Sequence, residues 1–484
     1  MAAVQKPMVE EPIFGFARDY TAPQTTTDRS ARKQKVVNAG AWADTRGAKP
    51  KPLDARFADV KKRLVKPAHY AALQASWHRL LQAIEERVNV IEAAGPDFIP
   101  TVEFAEITPQ GRFPEDFARQ ARERGCCVVK NVVSETQARD WKAAMVDYCA
   151  RHPDIKGTPP AAPQIWKAYW TPAQAEARSH PAMLECQRAM SRLYHAGDEV
   201  NVDLDSQAMY ADRFRVRPAG VENILPPHLD NGSIERWEDE AGYSSVFTAI
   251  WEGRWEEYDA WDMTHRADAV TDLYGGPGAC SAFRSIQGWL SLSNNGPKKG
   301  TIQLLPDIKL STAYLLLRPF FTDDGQLDME STYFYGADPG MGQVLSTTWH
   351  PHLQLDRSIV SIPDIAPGSY VFWHCDMVHK VEEKHEGSED SSVAYIPVVP
   401  LCKYNIGNLV EQRKAFLAGN PPPDMPPLPE EGVESDHADR GRPEHILTAE
   451  GRRMLGLEAF DALADGLTPG QKRMRELANR ELGF

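Results

Sequence analysis

The clearest periodic stretch follows His69. Tyr70, Leu73, Trp77, Leu80, Leu81, Ile84, Val88 and Ile91 recur three or four residues apart, which predicts a helix with one apolar face. Gly95-Pro96 ends it. Phe113 to Arg124 predicts a second helix, stopped by Gly125. Cys126 to Val133 is a β-branched run and reads as a strand. Ser134, with Gln137 three residues on, predicts a capping box opening a helix through Trp141 and Met145 to about Ala150. Helical character returns between Pro172 and Leu193.

From about Met209 the period shortens from helical to alternate, and short strands are expected. Arg213 to Arg217 is the first strand-like run. In Ile286 to Ser293, Ile286, Gly288, Leu290 and Leu292 form one face; Gln287, Trp289, Ser291 and Ser293 form the other. A polar face carrying one Trp suits a strand lining a wet pocket. Asn294 to Pro297 is a turn signal, with Thr301 to Pro306 as the return strand. Ile365 to Val381 predicts a distal strand pair. Between these runs, Arg236 to Asp272 carries Trp237, Trp251, Trp255 and Trp261 among many acids. It is too long for a hairpin and is expected to be helical, either a lid over a site or a peripheral insertion.

This pattern divides the chain into four parts: a flexible arm (1–66), a helical region with one barrel-associated strand (67–200), a strand-rich core including the Trp-rich insertion (201–410), and a Pro-rich loop with C-terminal helices (411–484). Composition then narrows the function. The 484 residues are 42% hydrophobic and 25% charged, ordinary for a soluble globular protein. A net charge of −14 argues against nucleic acid or an anionic membrane as partner and leaves a small-molecule substrate. No apolar run approaches a membrane span. Seven cysteines without CxxC spacing predict reduced thiols and a cytoplasmic setting, with neither a disulfide framework nor structural zinc.

The candidate chemistry is a histidine–carboxylate set. His-x-Asp occurs four times, at His152/Asp154, His228/Asp230, His374/Asp376 and His437/Asp439, where composition alone predicts about one. Context separates them. His152 ends a helix and His437 lies in an acidic, Pro-rich region, so both are expected to be solvated. His228 follows a strand-like run, and a histidine on a later strand can complete its site. Two histidines and a carboxylate on one face of a ferrous ion leave the opposite positions open, the ligand set of non-haem iron oxygenases. His350-Pro-His352 is a weaker pair, since no carboxylate stands at strand spacing beside it.

The runs Pro226-Pro-His-Leu-Asp-Asn-Gly-Ser-Ile-Glu-Arg-Trp237 and Phe372-Trp-His-Cys-Asp-Met-Val-His379 resemble the YbiU-type family of bacteria and fungi, related to the phytanoyl-CoA hydroxylases. The resemblance covers most of residues 100 to 410. It implies an α+β fold with a double-stranded β-helix (jelly-roll, cupin-like) core and surrounding helices. It also implies an Fe(II)/2-oxoglutarate-dependent dioxygenase that consumes O2 and oxidises a C–H bond of a small metabolite, such as an amino-acid-derived compound of secondary metabolism. Carried over, it makes His228, Asp230 and His379 the metal ligands and His374 a supporting residue. The relatives place an arginine some ten residues after the distal histidine, for the far carboxylate of 2-oxoglutarate. Here Glu386 to Tyr395 contains none. Arg284 is the first replacement, being close to the strand of Gln287 and Trp289. Arg215, Arg217 and Lys380 are the others, with Ser391 or Ser392 adding a hydroxyl. A metal-binding scaffold without 2-oxoglutarate turnover is the alternative reading.

Overall fold

The computed structural model describes residues 50–223, 225–275, 280–427 and 431–484. Most of the arm expected over 1–66 lies outside them. Its described end is a helix, Arg56–Leu64, with Phe57 and Val60 buried. Lys61 of the same helix is also buried and donates to the Asp328 carbonyl and to Ser331 Oγ. The arm is thus tied down at its C-terminal end.

The helix Tyr70–Ala94 buries Leu73, Trp77, Leu80, Ile84, Val88 and Ile91 of the stripe read from the sequence, and leaves Tyr70 and Leu81 half-buried. Trp77 stacks on Phe321 at 4.6 Å between ring centroids. The helix Glu115–Arg124 ends on Gly125 in the left-handed region, where a Cβ would stand 2.6 Å from both Ile308 and Met377. Ser134 Oγ accepts from the Gln137 amide and opens the helix Glu135–Arg151. Two more helices, Pro172–Ser179 and Pro181–Ser191, complete the helical region.

The strands, in chain order, are β1 (Thr101–Glu103), β2 (Cys126–Lys130), β3 (Gly157–Thr158), β4 (Ile165–Trp166), β5 (Val202–Gln207), β6 (Phe214–Arg217), β7 (His228–Leu229) and β8 (Ile286–Ser291). There follow β9 (Ile302–Leu304), β10 (Gln343–Val344), β11 (Val360–Ser361), β12 (Tyr370–His374), β13 (His379–Val381), β14 (Ser391–Tyr395) and β15 (Pro400–Cys402). An eight-stranded sheet runs β1-β2-β12-β8-β14-β6-β4-β3 and a five-stranded sheet runs β10-β7-β13-β9-β11. The mixture of helices and large, mainly antiparallel sheets is α+β.

From β6 onward the chain passes repeatedly between the two sheets, and this corrects the hairpin expected after Ser293. β8 lies between β12 and β14, whereas β9 lies in the other sheet between β13 and β11. The turn does not close on its own strand because Asn295 exchanges backbone hydrogen bonds with Ile365 (3.1 and 2.9 Å). Gly296, at φ 151°, has no room for a Cβ, which would meet Asp364 at 2.3 Å. The distal pair is split in the same way: β12 belongs to the large sheet and β13 to the small one.

The Trp-rich insertion is part of the core. Trp237, Trp251, Trp255 and Trp261 are all buried. Three of the indoles donate to backbone carbonyls: Trp237 to Leu316, Trp251 to Ser244 and Trp261 to Arg122. Two short helices and three 3-10 turns carry the segment. Its length left it open as a lid or a peripheral insertion; its four tryptophans are packed into the core. At the C-terminal end, the helices Lys403–Ala418 and Pro469–Leu482 share a second apolar cluster with Tyr210, Val399 and Leu401.

Candidate metal centre

β7 is only two residues long, yet its pairing places the site. His228 stands opposite His379 in the β7–β13 ladder, so both imidazoles leave the same face, with ring centroids 4.2 Å apart. Asp230, two residues beyond His228, turns its carboxylate between them. His228 Nε2 lies 3.8 Å from Oδ1 and His379 Nε2 lies 3.6 Å from Oδ2, too far for hydrogen bonds and spaced for a common cation. The other ring nitrogens are engaged, His228 Nδ1 with the Pro226 carbonyl (2.8 Å) and His379 Nδ1 with the Met377 carbonyl (2.9 Å). A proton on each Nδ1 leaves each Nε2 lone pair aimed into the gap, the tautomer a metal requires.

Electrostatics agree with that geometry. Burial, and then the neighbouring His379, lower His228 to about 4, so it is neutral at ordinary pH. Burial works to raise Asp230, but His379, His228 and Arg284 outweigh it and hold the carboxyl well below its usual range. The Asp230 side chain keeps 24% of its exposure, so the site is reached from solvent. Two imidazoles and one ionised carboxylate form an open three-ligand site, which fits a divalent transition metal of the ferrous type.

The face opposite the triad can be read from strand register. Trp373 pairs with Gln287, Trp289 with both Val371 and Tyr395, and Ser291 with Val393. Paired residues share a face, and Trp373 packs on His379 with centroids 5.3 Å apart, so this face looks toward the ligands. Gln287 Nε2 and Trp373 Nε1 are buried on it without hydrogen-bond partners. Buried N–H groups left this way are costly unless a ligand accepts from them. Gln287 was seen as pocket-lining in the sequence. Trp373 was missed, although its alternation with Val371 on β12 was the available signal.

The residues expected at the cofactor divide. Trp289 and Ser391 lie on the inward face. Lys380 does not: it pairs with Gln303 and alternates with His379, so the two-residue period sends it to the other side of its sheet. Arg284 sits beside the triad. Its Nε and Nη2 both donate to Asn231 Oδ1 (3.0 and 2.8 Å), so it supports the loop of Asp230 instead of reaching the strand of Gln287 and Trp289.

The remaining histidines take structural places. His374 leaves the opposite face of β12 from Trp373, packs against Tyr194 and Trp261, and binds the Ala260 carbonyl through Nε2 (2.9 Å). It therefore supports the insertion and does not touch the triad's side chains. Its neighbour Asp376 is buried and ion-paired with Arg236 (3.1 Å) and Arg266 (2.8 Å), while Tyr243 donates to it (2.7 Å). Two guanidinium groups exclude a cation from that cluster. Arg236 also donates to the carbonyls of Gly232 (2.8 Å) and Asp230 (3.4 Å), and thereby holds the loop that carries Asp230. Nothing in the local pattern pointed to Arg236.

The two His-x-Asp pairs expected to be solvated cross-pair instead. His152 Nε2 contacts Asp439 (2.8 Å), His437 Nε2 contacts Asp154 (2.9 Å), and the rings stack at 3.7 Å. His350 is buried beside Tyr335 and Arg318, and His352 packs edge-on against Trp77. A cleft of about 1010 Å³, lined by Arg87, Arg124, Trp255 and Asp307 among others, shares no residue with the triad.

Comparison with known proteins assigns the family. The chain belongs to the Gig2-like family, whose profile matches residues 51–457. It is 30% identical over 424 residues to the uncharacterized protein YbiU of Escherichia coli (strain K12), covering 84% of this chain and 97% of that one. The crystal structure of GlcNAc Inducible Gene 2, GIG2 (DUF1479), from Candida albicans superposes with a TM-score of 0.83 at 36% identity, over 90% of this chain and 96% of that one. The hypothetical protein JW0805 from Escherichia coli follows with a TM-score of 0.71 at 29% identity, over 86% of this chain and all of that one (100%).

Proposed function

We propose that the chain is a non-haem Fe(II)/2-oxoglutarate-dependent oxygenase that oxidises a C–H bond of a small metabolite. The observation that carries this reading is the triad itself, with Nε2 of His228, Nε2 of His379 and the Asp230 carboxylate converging around one cation-sized gap. Strand order supports it. Eight strands interleave as β12-β8-β14-β6 facing β7-β13-β9-β11, the arrangement of a double-stranded β-helix. The unpartnered donors of Gln287 and Trp373 support an acceptor-rich ligand beside the metal.

Ferrous iron with 2-oxoglutarate and O2 would supply the oxidising power, and the protein's share is placement and protection. His228, Asp230 and His379 would hold the metal from one side. The Nδ1 contacts to Pro226 and Met377 keep both imidazoles in the ligating tautomer. Arg284 and Arg236 hold the backbone and side chains of Asp230 to Gly232, so the carboxylate does not swing away. Trp373 and Trp289 form part of an apolar wall that excludes water from the reacting face.

The alternative, a metal-binding scaffold, draws on one observation: β14 carries no arginine for a keto-acid co-substrate. Succinate release decides between them. Protein supplied with Fe(II), ascorbate, 2-oxoglutarate and air should form succinate above a His379→Ala control even without its substrate. Iron binding with no succinate and no 2-oxoglutarate binding would return the protein to the scaffold class.

A further inference from the structure

A dicarboxylate co-substrate that meets the triad through its keto-acid end leaves its other carboxylate inside the protein. An unpaired charge there is costly, so a cation must receive it. β6 offers candidates in Arg213-Phe-Arg-Val-Arg217, where three arginines occupy alternate positions and therefore one face. Register with β14 identifies that face, because Arg215 stands opposite Val393 and Arg217 opposite Ser391. Val393 in turn pairs with Ser291 of β8, so the three arginines share the side of the sheet that carries Gln287, Trp289 and Trp373.

The three are not equivalent. Arg213 is paired with the Asp212 carboxylate at 3.0 Å. Arg217 is saturated by backbone: Nε and Nη2 donate to the Val221 carbonyl, Nη1 to Glu382 and Nη2 also to Glu383, at 2.7 to 3.1 Å. Arg215 is 5% exposed and donates through Nη2 to Ser391 Oγ (3.1 Å) and, at 3.5 Å, to the Gly300 carbonyl. Its Nε–H is buried and has no partner. No carboxylate contacts it among the described residues. Lys380 faces the other side of its sheet and Arg284 is held by Asn231, so neither competes for the role.

We infer that Arg215, with Ser391 beside it, is the anchor for the distal carboxylate of the keto-acid co-substrate. The cation that β14 lacks is supplied from the adjacent strand, and the Ser391 hydroxyl on β14 contacts it. A guanidinium fits because it presents parallel N–H groups to a carboxylate, whereas Ser391, whose hydroxyl donates to Asn295 Oδ1 (2.7 Å) and accepts from Arg215, positions that guanidinium. This inference rests on the oxygenase reading and adds the residue that selects a five-carbon dicarboxylate over a monocarboxylic keto acid.

The test is calorimetric binding to the Fe(II)-loaded protein under argon, with two ligands. 2-Oxoglutarate carries the distal carboxylate; 2-oxopentanoate has the same chain length without it. Arg215→Gln should weaken 2-oxoglutarate binding roughly ten- to a hundredfold and leave 2-oxopentanoate binding unchanged. Arg215→Lys should recover part of the loss. Arg284→Gln should not discriminate between the two ligands. Should Arg215→Gln fail to fold, Ser391→Ala carries the same signature at a several-fold scale. Equal loss of both ligands, or loss of neither, overturns the anchor while the oxygenase reading stands. Wild-type protein that binds iron but neither keto acid overturns both.

Discussion

Asp376→Asn removes the charge at the centre of the cluster that joins the insertion to the loop that carries Asp230. In the wild type the carboxylate is 1% exposed and faces Arg236, Arg266 and Tyr243. Burial opposes its ionisation, but Arg266, Arg236 and His374 together keep its pKa well below the usual carboxylate range. The amide keeps the shape and one acceptor but leaves two buried guanidinium groups without a counter-charge. Breaking a buried pair in this way costs about 3–5 kcal/mol. With an unfolding entropy of about 2.1 cal/mol/K per residue, a chain of this size loses only about 1 °C of Tm per kcal/mol. Differential scanning calorimetry should therefore record a fall of about 3–5 °C. The loss has a second signature, because Arg236 also donates to the carbonyls of Asp230 and Gly232. Metal affinity, measured by competition with a chromophoric chelator, should fall roughly tenfold, the scale for losing an outer-shell contact. A Tm within 1 °C of wild type, with unchanged metal affinity, would refute the claim that this cluster holds the site.

Three further outcomes are expected. His228→Ala, Asp230→Ala and His379→Ala should each abolish stoichiometric metal binding in a chelator titration, while far-ultraviolet circular dichroism stays native. Gly232→Ala should lower stability by about 1–3 kcal/mol in urea denaturation and weaken metal binding, since the residue sits at φ 79° and a Cβ would stand 2.3 Å from the Thr271 carbonyl. His350 should make stability pH-dependent: burial, and then Arg318, lower it to about 3 from an ordinary value near 6.5. The unfolded chain then binds the extra proton between those values, so stability is complete above about pH 6.5 and falls by up to about 1.4 kcal/mol per pH unit as pH drops toward 3. His350→Asn should flatten that slope by one proton, and an unchanged slope between pH 6.5 and 4 would count against the assignment.

The local elements were legible because their signals are local. The stripe from Tyr70 to Ile91, the stop at Gly125 and the cap at Ser134 each follow from side-chain spacing and backbone preference within a few residues. The polar face of Gln287, Trp289 and Ser291 was legible for the same reason. So were His228, Asp230 and His379 as a candidate set, from strand spacing and the resemblance of their flanking runs. Period-2 alternation tells which residues share a face, but it does not name the neighbouring strand.

Tertiary structure decided the rest. It sent the chain after Asn295 to the other sheet instead of back along β8, because the turn's backbone partner is Ile365. It put Lys380 behind the sheet and bound Arg284 to Asn231, leaving Arg215 with a buried, unpartnered N–H. It also folded the tryptophans of residues 236–272 into the core and brought His152 and His437 together across 285 positions of chain. A side chain's hydrogen-bond partners and electrostatic surroundings are set by strands that meet only when the sheets assemble, and no window of sequence contains them.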